Sequence, residues 1–129
     1  ASIFTKIIKG EIPSYKVAED ENYYAFLDIA PMQKGHTLVV PKREEDYIFD
    51  LTDEELAGLM VFAKKVAKAI EKSIPCKRIG IGVLGLDVPH AHVHLVPLVE
   101  GNELNFSNPK KQFPKEEMEA CAKLIQSNL

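Results

Sequence analysis

The chain lacks most of the features that would assign it quickly to a broad class. It has two cysteines, Cys76 and Cys121, isolated and far apart, which fits reduced thiols and supplies neither a disulfide framework nor a C-x-x-C metal or redox site. It has no apolar run of about 18 residues, the length a membrane-spanning helix needs. Its first residues, Ala1-Ser2-Ile3-Phe4-Thr5-Lys6, lack the basic-then-apolar order of a signal peptide, so the expected compartment is the cytoplasm, with no membrane partner. Positive charge is not in excess either, because 16 lysines and arginines stand against 19 acidic residues for a net charge of −3. Nucleic-acid binders usually carry a basic stripe whose contacts release counterions, so nucleic acid is not an expected partner, while a small anionic ligand remains open. Internal repeats and low-complexity tracts are absent.

What is present is 129 residues, 46% hydrophobic and 27% charged, the proportions of a globular domain with room for a core. A single domain over residues 1–129 is expected. Ser2 ahead of Ile3, Phe4, Ile7 and Ile8, with Gly10 behind, reads as a short capped helix that must pack on something to persist. Tyr15 to Ala18 and Tyr23 to Leu27, parted by an acidic turn, form a hairpin candidate. A loop containing Pro31 and Gly35 delivers His36 into the apolar run Thr37-Leu38-Val39-Val40, which predicts a buried strand. Thr52-Asp53-Glu54-Glu55 is a capping box, and Leu56, Leu59, Met60, Ala63, Val66, Ala67 and Ile70 then share one face of a helix that Pro75 ends. Arg78 to Leu84 reads as a strand, Gly85 to Val88 as the turn of a second hairpin, residues 100–112 as a polar loop, and Pro114 to Asn128 as a final helix. Strands joined mostly by short turns predict an antiparallel α+β sheet with helices on it.

The segment after the second turn carries the chemistry. His90-Ala91-His92-Val93-His94-Leu95 puts three of the four histidines at alternate positions. Extended backbone sends alternate side chains to opposite faces, so the three imidazoles share one face and Ala91, Val93 and Leu95 the other. A lone histidine on an apolar strand is usually a hydrogen-bonded structural residue, but three side by side cost desolvation of each ring unless partners are supplied. Two chemistries suit such a set. Three imidazoles with an open fourth position can hold a catalytic zinc ion, although only His36 and Asp87 stand near as further ligands and no cysteine or carboxylate cluster completes the site. Alternatively, a neutral imidazole nitrogen attacks phosphorus and leaves an N–P adduct for water to resolve, while flanking rings contact phosphate oxygens and manage protons.

His90-Ala91-His92-Val93-His94-Leu95-Val96 resembles the motif of the histidine-triad (HIT) family of nucleotide hydrolases and transferases. Ile3-Phe4 with Lys6-Ile7-Ile8, Glu11-Ile12-Pro13, Ala25 to Pro31 and Gly35 to Lys42 resemble its Hint-like branch, while the tail from Gly101 onward does not take part. The resemblance implies a five-stranded antiparallel sheet with a long central helix and a short N-terminal helix, pairing into a homodimer. It implies attack at the α-phosphorus of a purine nucleoside phosphoramidate, dinucleoside polyphosphate or related AMP or GMP derivative, through a nucleotidyl-His92 intermediate and without a cofactor. On the same footing His92 is the nucleophile, His94 and His36 lie around the phosphate, and His90 supports the array. Asp28 accepts the ribose hydroxyls, and Ile3, Phe4, Ile7, Phe26 and Ile29 sandwich the base. Read from the residues alone, Asp28 is also a turn residue, and the five apolar side chains are core.

The chain departs from the family pattern in two places. Members with a structural zinc site begin it with two cysteines, where this chain has Ser2 and Thr5, and a later ligand falls after Pro41-Lys42 on Arg43 or Glu44. No metal is therefore expected. Before the triad, where an amide or hydroxyl is usual, the short stretch Val83 to Val88 offers only Asp87, whose carboxylate would repel a second phosphate. A preference for small or neutral leaving groups follows. The alternatives are a weakly active nucleotide-binding or interaction module of the same fold, and a three-His metal enzyme.

Overall fold

The structure is a computed structural model describing residues 1–129. Its elements run α1 (Ile3–Ile8), β1 (Lys16–Glu19), β2 (Tyr23–Leu27), β3 (Thr37–Pro41), a 3₁₀ turn (Ile48–Asp50), α2 (Asp53–Ser73), β4 (Arg78–Gly82), β5 (Val93–Leu98) and α3 (Lys115–Ser127). The strands form one antiparallel sheet in the order β1-β2-β3-β5-β4. This is the α+β, five-stranded architecture that the sequence predicts, with its long central helix and short N-terminal helix.

Local chemistry sets the element ends. Ser2 caps α1, its hydroxyl accepting the Thr5 amide at 3.0 Å. At α2 both halves of the capping box form: Thr52 Oγ1 accepts the Glu55 amide at 3.1 Å, and Glu55 Oε1 accepts the Thr52 amide at 2.9 Å. Gly35, at φ 90°, turns the chain into β3 and leaves His36 at the strand's mouth.

Strand alternation then sorts the sheet into two faces. Ala25, Leu27, Val39, Val93 and Leu95 point one way and pack with Leu59, Val66 and Ile70 of α2 and with Met118 and Ile125 of α3 in the main core. Tyr24, Phe26, Leu38 and Val40 point the other way and pack on Phe4 of α1. His94 pairs with Leu38 across β3 and β5, so the triad stands on the α1 face.

The structure corrects the extents of three predicted elements. β5 begins at Val93, so His90 and His92 precede the ladder. Its pairing with β3 ends at Val39 and Val93, and the Ala91 amide donates instead to the Glu45 carbonyl at 2.6 Å. Side-chain alternation survives, since Ala91, Val93 and Leu95 join the main core while all three histidines are buried on the opposite face. β4 stops at Gly82 rather than Leu84, and residues 83–92 form a wide connection with Leu84 and Leu86 exposed, not a tight hairpin turn. β1 covers Lys16–Glu19, with an irregular register between Lys16 and Ala18 opposite β2.

Candidate active site

His36, His90, His92 and His94 are all buried, and their hydrogen-bond partners assign the tautomers. The Met32 amide donates to His36 Nδ1 at 3.0 Å, so a neutral His36 carries its hydrogen on Nε2. That Nε2 lies 3.0 Å from His94 Nδ1 and donates to it, which leaves His94 with its hydrogen on Nε2. His92 Nδ1 donates to the His90 carbonyl at 2.7 Å, so the lone pair of His92 is on Nε2. His90 commits both nitrogens: Nε2 donates to the Pro41 carbonyl at 2.8 Å, and Nδ1 accepts from the Ser2 hydroxyl at 2.7 Å.

Burial keeps the rings of His36, His90 and His94 neutral. It pushes His36 down to about 4, helped by the charges of Lys110 and His92, and His94 down to about 3, helped by His36, His92 and Lys110. His90 is also lowered, chiefly by burial, against the opposing pull of the Pro41 carbonyl and Glu44. Asp28 shifts the other way, its carboxyl raised by desolvation. One of its oxygens accepts the Ala30 amide at 2.9 Å, as a turn residue would, and the other lies 3.7 Å from His36 Nε2. Asp28 therefore combines the turn role with a place beside the imidazoles.

Aromatic rings wall the array. Phe4 meets His92 edge-on at 5.1 Å between centroids and Phe26 at 5.4 Å, and Ile7 packs on the same cluster. Ile3 and Ile29 behave differently, being 48% and 76% exposed and standing outside that cluster. The five apolar residues singled out from the sequence thus do not form a closed slot. Three belong to the wall, and two face solvent.

Three places could be asked to hold a metal. The triad does not present three converging lone pairs, because His90 has none free and the Nδ1 of His92 is tied to a carbonyl. Asp28, His36 and His94 bring ligand atoms within 4.8 Å of one another, but the two rings already share a hydrogen that a cation would have to displace. The family's structural zinc does not fit the third place. Glu44 Oε1 accepts the Ser2 amide at 2.7 Å and the Thr5 hydroxyl at 2.6 Å, and Ser2 Oγ serves His90. Neutral hydroxyls replace thiolates there, and their hydrogens are spent within the group. The Ser2 amide and the Thr5 hydroxyl hold the Glu44 carboxyl down to about 2. What the four residues build is a hydrogen-bonded tie between α1, the segment after β3 and His90.

Sequence reasoning missed several contributors. The Met32 amide and Pro41 carbonyl are backbone groups with no side-chain signature. Phe106, whose ring meets His94 at 4.7 Å, and Lys110 lie in the tail that the family resemblance left out. Glu44 did leave a signal, since it stands where a zinc ligand was looked for.

An antiparallel sheet carrying a buried, tautomer-fixed row of imidazoles on the face of a short N-terminal helix defines the histidine-triad fold. The chain belongs to the HIT family, whose HIT domain model matches residues 9–101. It is 43% identical over 110 residues to an uncharacterised HIT-like protein of Methanocaldococcus jannaschii, covering 78% of this chain and 81% of that one. It is 37% identical over 131 residues to an adenosine 5′-monophosphoramidase of Schizosaccharomyces pombe, covering 98% and 97% of the two. Among solved structures, a HIT-like protein from Bartonella henselae matches with a TM-score of 0.85 at 35% identity, covering 99% of this chain and 96% of that one.

Proposed function

We propose that this chain is a nucleotide hydrolase or nucleotidyl transferase acting at the α-phosphorus of purine nucleoside phosphoramidates or related nucleotides through a nucleotidyl-His92 intermediate. The observation that carries the reading is the hydrogen-bond chain from the Met32 amide through His36 to His94. It leaves a donor on His94 Nε2, while the His90 carbonyl leaves a lone pair on His92 Nε2. A nucleophile and a donor stand side by side, their rings 5.0 Å apart between centroids.

In the first step His92 Nε2 bonds to phosphorus as the bond to the leaving nitrogen breaks, and that nitrogen departs as an amine after taking a proton from solvent. The His92 ring becomes cationic and keeps its Nδ1 hydrogen on the His90 carbonyl, whose dipole offsets the charge. His94 Nε2 donates to a nonbridging oxygen, and His36 holds His94 in the donating tautomer. Water then bonds to phosphorus, the electron pair returns to His92 Nε2, and the water's spare proton goes to solvent. The products are a nucleoside monophosphate and the amine.

Asp28 takes the ribose hydroxyls on the oxygen that Ala30 leaves free. Phe4, Ile7 and Phe26 form the floor for the base, and the exposed Ile3 and Ile29 form its rim, apolar surface that a purine would cover. The similarity to an adenosine 5′-monophosphoramidase supports the substrate class. A homodimer belongs to the same reading, with the exposed Met60 and Val61 of α2 and Ile81 of β4 as the face to be covered. So do a single HIT-like domain and a cytoplasmic setting, and no helix is long and apolar enough to cross a membrane. The test is to mix the protein with adenosine 5′-phosphoramidate, with and without a chelator, quench, and map adducts by mass spectrometry. A chelator-insensitive adenylyl adduct on His92 is expected, and turnover with the adduct on another residue would overturn the mechanism.

A further inference from the structure

Residues 103–111 lie outside the stretch that the HIT domain model matches, residues 9–101, yet both ends of this loop are pinned to the site's framework. At one end the Glu103 carboxylate accepts the amides of Val99, Glu100 and Gly101 at 3.1, 2.7 and 2.9 Å, closing the turn after β5. At the other, the Lys111 amide donates to the Pro31 carbonyl at 2.8 Å and its ammonium to Gln33 Oε1 at 2.9 Å, on the loop that delivers His36. Between these anchors Phe106 packs edge-on against His94, and the Lys110 ammonium stands 5.9 Å from the Phe106 centroid.

Lys110 has no carboxylate partner in a salt bridge. Its charge nevertheless bears on Asp28, His36 and His94 together, and no other lysine or arginine does so. Asp87 lies in the exposed connection between β4 and β5. A phosphate brought here meets the neutral His94 ring, which donates a hydrogen bond but cancels no charge. The unpaired ammonium supplies the missing cation.

We infer that Lys110 is a phosphate-binding residue that selects for anionic leaving groups, its ammonium engaging the oxygens of a phosphate beyond the α-phosphorus. The inference rests on the nucleotide reading above. It reverses the leaving-group preference expected from Asp87, because Lys110 stands by the Phe106 ring that packs on His94 while Asp87 is exposed in the connection between β4 and β5.

The test compares adenosine 5′-phosphoramidate, whose leaving group is uncharged, with diadenosine triphosphate, which departs as ADP, on wild type, Lys110→Gln and Lys111→Gln. Lys110→Gln should lower kcat/KM about tenfold for the triphosphate and less than about threefold for the phosphoramidate, a gap that narrows as salt is raised. Lys111→Gln keeps its backbone anchor and should change both by less than about twofold. Equal losses on the two substrates, or none, would overturn the role of Lys110. Calorimetric titration with AMP and ADP gives an independent readout, with Lys110→Gln weakening ADP more than AMP. A wild type that binds neither nucleotide sinks the nucleotide reading and this inference together. Normal binding in wild type with unchanged ADP affinity in Lys110→Gln sinks this inference alone.

Discussion

The two faces of the sheet are buried by different physics. Toward α2 and α3 the sheet closes a cluster of 21 buried residues, nearly all aliphatic, whose contribution scales with area removed from water and needs no particular pairing. Toward α1 it closes an apolar cluster of only five, and beside it four imidazoles whose burial is tolerable because every ring is hydrogen-bonded. No buried side-chain nitrogen or oxygen in the chain is without a partner. The first face is insured by redundancy. The second depends on named bonds, and each of those bonds also decides which imidazole nitrogen carries a lone pair.

The sharpest way to break this contrast is at His92. Replacing it with Ala should lower kcat/KM by about a thousandfold or more, because the covalent route disappears, while AMP affinity survives. Steady-state kinetics and calorimetry check this, and a variant retaining a tenth of wild-type activity would remove His92 as the nucleophile. On the opposite face, Leu59→Ala should cost about 2 to 5 kcal/mol in urea unfolding, with activity per folded molecule close to wild type. A comparable loss of kcat there would mean that the two faces are not separable.

Acidity probes the imidazole face alone. His36 and His94 are held at about 4 and about 3 by burial, against an ordinary 6.5, so between those values the unfolded chain binds more protons than the folded one. Stability should therefore fall as pH drops below about 6.5, with each ring contributing a slope of up to about 1.4 kcal/mol per pH unit. Asp28, raised by burial, acts in the opposite sense, and only in the range just above its ordinary 3.8. Urea midpoints that stay flat from neutral to mildly acidic pH would contradict the neutral assignments.

Glu44→Ala loosens the tie to Ser2 and Thr5 and should lower kcat about threefold through His90, without sensitivity to chelators or added zinc. Recovery of activity on adding zinc would argue for a metal at that position. The smallest effect belongs to neither face: Lys68→Ala removes an exposed pair with Glu71 at 3.9 Å and should change stability by less than about 0.5 kcal/mol.

Most of the architecture was legible in the sequence because local signals are strong where the chain needs them. The capping box at Thr52 and the Ser2 cap are short-range bonds between near neighbours, and period-two alternation told one sheet face from the other. Element ends were less legible. His90 looks like strand by pattern, yet the ladder stops at Val93 because the next amide finds the Glu45 carbonyl, a partner far away in the chain. The same limit applies to the site. His36 was weighed from the residues themselves, whereas Asp28 was singled out only through a family resemblance. The Met32 amide, the Pro41 carbonyl and the Lys110 ammonium were found by neither route, because backbone groups carry no residue-type signal and the tail carried no motif.

The sequence by itself determined that three histidines share one face and that alternating apolar residues bury the other, because the two-residue period of extended backbone is a local geometric fact. Which nitrogen of each ring holds its hydrogen was decided only by tertiary structure. Those hydrogens are assigned by partners 2 to 88 residues away along the chain, from the His90 carbonyl on His92 to the Ser2 hydroxyl on His90. A tautomer is set by what the ring meets in space, and a residue's identity does not specify its neighbour.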